Sequence, residues 1–214
     1  MAHLLIHRGL AKKYFAENII KAFKYCFKKN YGIETDIHCT QDGKIVCFHD
    51  FTLKRKFKIN RTLKNSKYKD LLKISKNKKR TIPLLSDLIK ASKNKRFLML
   101  EIKPFFSNKS LKVLIQETKK LKNYSITSFK EKNIIDLYKM KRNLNLGLII
   151  PSTFTVNKII KKSEAKHVKF LVLEKKFLKE TKISKIKKKI YFYTIKDKKT
   201  FNQFSGQNLI FENL

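Results

Sequence analysis

The sequence predicts an α/β fold of repeated βα units, and three observations predict it. Short apolar runs of strand length recur at 3–7, 32–38, 44–48, 96–102, 124–127, 145–150, 169–173, 190–194 and 208–211. Between most of them lie stretches with helical patterning, at 15–29, 84–93, 108–121, 130–142, 155–163, 175–187 and 198–204. With five Gly and three Pro in 214 residues, no linker divides the chain, which reads as a single domain, 1–214. Strand–helix alternation argues for a parallel sheet. Setting 44–48 aside as a hairpin-like excursion leaves eight strands, a number that suggests a (β/α)8 TIM-like barrel. A doubly wound open sheet fits the same alternation, and periodicity does not separate the two.

Taken in order, the first run is Leu4-Leu5-Ile6, closed by His7-Arg8-Gly9. Gly9 permits a sharp turn and a close backbone approach to a ligand. Arg8 suits bidentate phosphate binding, and histidine exchanges protons near neutral pH. A histidine at a strand end can equally be a plain hydrogen-bonded residue. In the second strand, side chains alternate faces, so Glu34, Asp36 and His38 share one face while Ile33 and Ile37 take the other. Two carboxylates on a buried face are unfavourable unless paired or metal-bound.

The excursion 44–48 ends in His49-Asp50, where Asp50 could orient a neighbouring imidazole. Segment 51–80 is basic and without a clear period. It reads as an insertion after the second strand, spanning about 40–80 and covering one barrel end. The run 96–102 then carries Glu101 and Lys103 on one face at its C-terminal end. In a barrel, the C-terminal strand ends meet at the active face, so Glu34, Asp36 and Glu101 would converge. Three carboxylates make a hard oxygen site suited to Mg2+ or Ca2+. Salt bridges to Lys103 or other bases account for the same acids without a metal.

Composition sets further bounds. Lys and Arg number 52 against 16 acids, for a net charge of +36. Such a surface attracts nucleic acid, anionic lipid or small anions. Drift toward lysine on a solvated surface yields the same number. Arginine, the residue of phosphate forks, occurs only six times, which weighs against specific nucleic-acid recognition and leaves weak association with anionic membranes open. Cys26, Cys39 and Cys47 are odd in number and lack metal-ligand spacing, so free thiols are expected. No apolar run approaches membrane-spanning length and no leader pattern is visible, so a soluble cytoplasmic protein is expected. Oligomeric state is not legible.

Five segments in this order resemble one family: His7-Arg8-Gly9, Glu17-Asn18, Glu34-Thr35-Asp36, Thr40-Gln41-Asp42-Gly43 and His49-Asp50. They are similar to the signature of glycerophosphodiester phosphodiesterases. Ile82-Pro83-Leu84-Leu85, Glu101-Ile102-Lys103, Ser128-Phe129 and Tyr193-Thr194-Ile195 extend the resemblance across the chain. Departures are Ala16 for Pro, Leu84 for Thr, Tyr193 for Trp, and an ending degraded to Phe211-Glu212-Asn213-Leu214. The resemblance implies a (β/α)8 barrel with a small insertion, and hydrolysis of a glycerophosphodiester to glycerol 3-phosphate and an alcohol. It implies His7 and His49 as the acid–base pair, Glu34, Asp36 and Glu101 as ligands of Mg2+ or Ca2+, and Arg8, Lys103 and Tyr193 as substrate contacts. Gly9, Glu17, Asn18 and Asp50 would support them.

Two other readings remain at this stage. Lysophospholipase D or sphingomyelinase D-like cleavage would use the same barrel, and the basic, polar 51–80 leans away from it. A basic binding protein without catalysis would leave the placement of acids and histidines unexplained.

Overall fold

A computed structural model of the chain describes residues 2–77 and 80–214. Of the basic run 76–80, residues 78 and 79 lie outside the described residues. The strands are β1 (Leu4–His7), β2 (Gly32–Cys39), β3 (Ile45–Cys47), β4 (Leu98–Ile102), β5 (Tyr124–Ser128), β6 (Leu146–Ile149), β7 (Phe170–Glu174), β8 (Lys189–Ile195) and β9 (Asn208–Phe211). All but β3 pair in parallel, and β1 pairs with both β9 and β2, so eight strands close into a ring. This closure removes the doubly wound alternative. β3 lies outside the ring, antiparallel to β2, which makes 44–48 the hairpin arm that its sequence suggests.

The helices are α1 (Ile20–Lys28), α2 (Lys54–Phe57), α3 (Tyr68–Asn77), α4 (Leu85–Ser92), α5 (Asn108–Thr118), α6 (Glu131–Met140), α7 (Val156–Glu164), α8 (Thr181–Ser184) and α9 (Lys198–Gln203). Side-chain oxygens of Ser107, Thr155 and Asp197 accept backbone N–H groups at the starts of α5, α7 and α9, satisfying donors a helix start leaves free.

Three expectations shift. The helix placed at 15–29 begins at Ile20, because Asn18 adopts a left-handed φ of 58° and breaks the run before it. The stretch 175–187 holds a tight turn of 3-10 helix and then α8, with Phe177 and Ile183 buried. Segment 51–80, which shows no clear period, folds into α2 and α3. Its apolar residues close a core of their own, in which Phe57, Leu63 and Leu71 pack on Val46 and Phe48 of the β3 arm.

Alternation along the ring strands fills two further cores. Ile33 and Ile37 face outward against the helices, with Leu85, Leu111, Ile134 and Leu137. Leu5, Met99, Phe170, Val172, Tyr191 and Ile210 plug the barrel interior. Gly147 leaves room there for the Phe170 ring, whose nearest atom would lie 2.1 Å from a Cβ at that position. The register then decides which polar residues meet above the plug: His7 is level with Glu34, and Asp36 with Glu101.

Candidate functional site

Glu34, Asp36 and Glu101 each direct a carboxylate oxygen to a common point, these atoms lying within 4.8 Å of one another. All three are buried. Neither oxygen of Glu34 has a hydrogen-bond partner. Burial, with Asp36 and Glu101 adding repulsion, pushes the Glu34 carboxyl well above its ordinary pKa. Burial and Asp36 likewise push Glu101 up to about 7, against the pull of Lys103. Buried oxygens on three converging acids, those of Glu34 without a partner, are a donor set for a hard divalent cation.

Two bases flank the acids. Arg8 Nε lies 3.1 Å from Asp36 Oδ2, and its Nη1 donates to Glu17 Oε2 at 3.1 Å. Lys103 Nζ lies 2.7 Å from Glu101 Oε1 and 3.5 Å from Asp36 Oδ1. The metal reading and the salt-bridge reading of these acids therefore coexist, since Asp36 and Glu101 are partly neutralised while Glu34 is not.

Local backbone geometry supports this cluster. Arg8 and Gly9 turn at φ 52° and 73°, and a Cβ on Gly9 would meet the Phe23 ring at 2.8 Å, so only glycine fits there. The turn carries Asn18 back under β2. Asn18 is buried, its Nδ2 donates to Asp36 Oδ2 at 3.0 Å, and its Oδ1 accepts from Thr35 at 2.8 Å. Asn18 thus holds the Asp36 carboxylate in place.

Each histidine at the site has a carboxylate on Nδ1. His7 Nδ1 lies 2.5 Å from Glu212 Oε2, and His49 Nδ1 lies 2.7 Å from Asp50 Oδ1. His7 holds Glu212 down at about 2 against its burial, with help from Lys196. Burial raises the Asp50 carboxyl, but Arg55 and His49 together bring it below its ordinary value. Both acids are therefore ionised near neutrality and can only accept, so each Nδ1 carries the proton and donates. Nε2 is left free for chemistry on both rings, that of His7 lying 3.8 Å from Glu34 Oε2. Burial outweighs the charge of Asp36 and keeps His49 below its ordinary pKa.

Arg55 of α2 ties the insertion to this arrangement. Its Nε donates to Asp50 Oδ2 at 2.6 Å, and its Nη2 donates to Glu17 Oε1. Lys56 Nζ also lies 2.9 Å from Glu17 Oε1. Burial works against the Glu17 charge, but Arg55, Lys56 and Arg8 outweigh it and hold the carboxyl at about 2.

His7, Glu34, Glu101 and Tyr193 line a cavity with about 280 Å3 of empty space, walled by Phe129 and Met99. Phe129 meets Tyr193 edge to face, with ring centroids 6.4 Å apart. Tyr193 remains protonated, since burial pushes its hydroxyl up to about 12.

The predicted site residues thus lie on β1, β2, β4 and β8 or on the turns and arm beside them, with Glu34 inside β2 level with His7 at the end of β1. Sequence reasoning missed Glu212 and Arg55. The first sits in an ending that reads as degraded against the family pattern. The second lies in a segment where basic residues are too common to stand out. An acid just past a strand end, in a chain with so few acids, is the signal that could have found Glu212.

A model of the glycerophosphoryl diester phosphodiesterase family matches residues 7–209. A curated glycerophosphodiester phosphodiesterase of Caldanaerobacter subterraneus subsp. tengcongensis is 30% identical over 161 residues, a match covering 68% of this chain. In that match the chain spans 65% of the relative's own length. A glycerophosphodiester phosphodiesterase crystal structure from Thermotoga maritima superposes with a TM-score of 0.85 at 20% identity, covering 100% of this chain and 95% of that one. A phosphodiesterase of Oleispira antarctica, solved with the product sn-glycerol-3-phosphate, superposes with a TM-score of 0.83 at 19% identity over 100% and 93% of the two chains. At these identities the two structures attest to the shared barrel fold.

Proposed function

The chain belongs to the glycerophosphoryl diester phosphodiesterase family, and on that premise we propose that it hydrolyses glycerophosphodiesters to glycerol 3-phosphate and an alcohol. The observation that carries the proposal is the convergence of Glu34, Asp36 and Glu101 beside His7 at the barrel mouth. The product bound to the Oleispira antarctica neighbour has the same chemistry.

Glu34, Asp36 and Glu101 would hold a divalent cation, Mg2+ or Ca2+. When bound, that cation would supply positive charge against the negative charge that develops on the phosphoryl oxygens. Lys103 adds a fixed positive charge on the same side, and Arg8 adds another that is shared with Asp36 and Glu17. A neutral histidine Nε2 takes the proton of the attacking oxygen, which is water or the substrate's own 2-hydroxyl; in the second case a cyclic phosphodiester forms first and water then opens it to glycerol 3-phosphate. As the bond from phosphorus to the departing alcohol breaks, the other histidine in its protonated form delivers a proton to that oxygen. His7 and His49 fill these two roles, and Glu212 and Asp50 hold the rings in the required tautomer. Tyr193 and Phe129 form an apolar wall that fits the glycerol carbons.

The test is a panel of glycerophosphodiesters, lysophospholipids and sphingomyelin, each assayed with Mg2+, Ca2+ and EDTA. Release of glycerol 3-phosphate from a glycerophosphodiester, lost in EDTA, is expected. Cleavage confined to the lipids would move the activity to the lysophospholipase D or sphingomyelinase D type. Absence of any EDTA-sensitive release would overturn the proposal.

Glu212 gives a second prediction. Glu212→Gln removes the ionised acceptor from His7 and lowers kcat roughly 10–100-fold with little change in KM. Glu212→Asp restores part of that loss. Equal activity of all three proteins would show that Glu212 does not position His7.

A further inference from the structure

Five large hydrophobic side chains stand exposed among the described residues: Tyr14 at 74%, Phe51 at 54%, Leu72 at 47%, Phe105 at 63% and Phe129 at 38%. Scattered exposed apolar residues need no explanation, but these are not scattered. Tyr14 follows β1, Phe51 and Leu72 lie in the insertion after β2 and its arm, Phe105 follows β4, and Phe129 follows β5. Strands β1, β2, β4 and β5 are consecutive neighbours in the ring. Half of the rim at the mouth end therefore carries every one of these residues, and none stands on α5, α6, α7 or α9.

Lysines accompany the rings. Lys12 Nζ lies 5.9 Å from the Tyr14 ring centroid and Lys130 Nζ 5.3 Å from that of Phe105. Phe51 and Phe105 line one cleft together with Lys64 and Lys109. Of the acids on the same segments, Glu17 and Asp50 are paired with Arg55 and Asp70 with Arg61, while Asp42 shares the cleft of Phe51 and Phe105 with Lys64 and Lys109. The rim thus presents separate aromatic tips set among ammonium groups.

We propose that this half-rim docks on an anionic lipid bilayer, with Tyr14, Phe51 and Phe105 entering the headgroup layer and the surrounding lysines facing lipid phosphates. Aromatic rings sit favourably at the bilayer interface, and each lysine near an anionic surface multiplies partitioning about fivefold. A nucleic acid would be gripped through arginine forks, and Arg8, Arg55 and Arg61 on this face are held by carboxylates. Docking holds the mouth at the lipid surface, where deacylation of phospholipids would release glycerophosphodiesters. The inference does not depend on the proposed hydrolysis, because its test measures binding without turnover.

The test is sedimentation of the full chain with vesicles of phosphatidylglycerol and phosphatidylcholine, beside vesicles of phosphatidylcholine alone, at about 0.1 M salt. Binding to the anionic vesicles only is expected. The triple variant Tyr14→Ser, Phe51→Ser, Phe105→Ser should bind at least about tenfold more weakly, while keeping the circular dichroism spectrum and melting temperature of the wild type. The chain has no Trp, so Phe105→Trp is a single fluorescent reporter whose emission should shift to the blue on anionic vesicles. Undiminished binding of the triple variant, or an unshifted emission from the Phe105→Trp protein, would overturn the proposal. Displacement from vesicles by RNA, with no effect of the triple variant, would reassign the face to nucleic acid. Self-association through the rim in the absence of vesicles would reassign it to a second copy of the chain.

Discussion

His7→Ala and His49→Ala should each lower kcat by about 10²–10⁴, the usual contribution of a positioned acid or base, with melting temperatures close to that of the wild type. Neither ring supports the core: both sit at strand ends, half-buried, and each makes its hydrogen bond to a carboxylate beside it. The two losses should not add. Once one partner of a coupled proton transfer is gone, the other has little left to do, so the double variant should lie close to the slower single one. Steady-state kinetics on a soluble glycerophosphodiester provides the comparison. A correctly folded single variant with wild-type turnover would remove that histidine from the mechanism.

Glu34→Gln should move stability and activity in opposite directions. In EDTA, the wild-type barrel holds three carboxylates together with no bond to either oxygen of Glu34. Glu34 is an acid whose ionisation this site opposes, and replacing it with an amide removes that opposition and gives the Asp36 and Glu101 oxygens a donor. A buried polar group left without a partner costs about 1–3 kcal/mol, so Tm in EDTA should rise by roughly 3–10 °C. Added Mg2+ or Ca2+ should raise the wild-type Tm and leave the variant nearly unmoved, and activity should fall to the background. Stability against pH supplies a further check. With Glu101 raised from 4.5 to about 7, the folded protein keeps a proton that the unfolded chain has released. In EDTA, stability should therefore fall as pH rises through that window. A lower Tm for Glu34→Gln in EDTA would mean that the acids do not strain the apoprotein.

Strands were the most legible part of the fold. Runs such as 124–127 and 208–211 are apolar, short and bounded by polar residues, and the structure places β5 and β9 on them within a residue. Ring closure was not legible, because alternation is the same in an open sheet and the decision rests on the β1–β2 and β1–β9 pairings. The insertion hid its order for a compositional reason. Tyr68, Leu71 and Ser75 do recur at helical spacing along α3, but lysines fill the gaps and dilute the pattern.

At the site, spacing placed Glu34 and Asp36 on one face, and the register brings Glu101 level with Asp36. The partner of His7 could not be read in that way. Glu212 lies 205 residues away, and only closure of the ring by β9 carries it to β1. Tyr193 stands beside Phe129 for the same reason, because a barrel joins the ends of distant strands.

Arg55 has a consequence for how this barrel could be rebuilt. A segment that covers an active site is often treated as exchangeable, a module through which substrate choice is altered while the chemistry beneath is left alone. Here the segment reaches down to Asp50, and through Asp50 to the imidazole of His49. Under the proposed mechanism, substrate choice and proton transfer are therefore not separable parts. A transplanted cover without a guanidinium at this position would arrive with its own selectivity and a slackened histidine, and a drop in rate after such a graft would be misread as poor substrate fit.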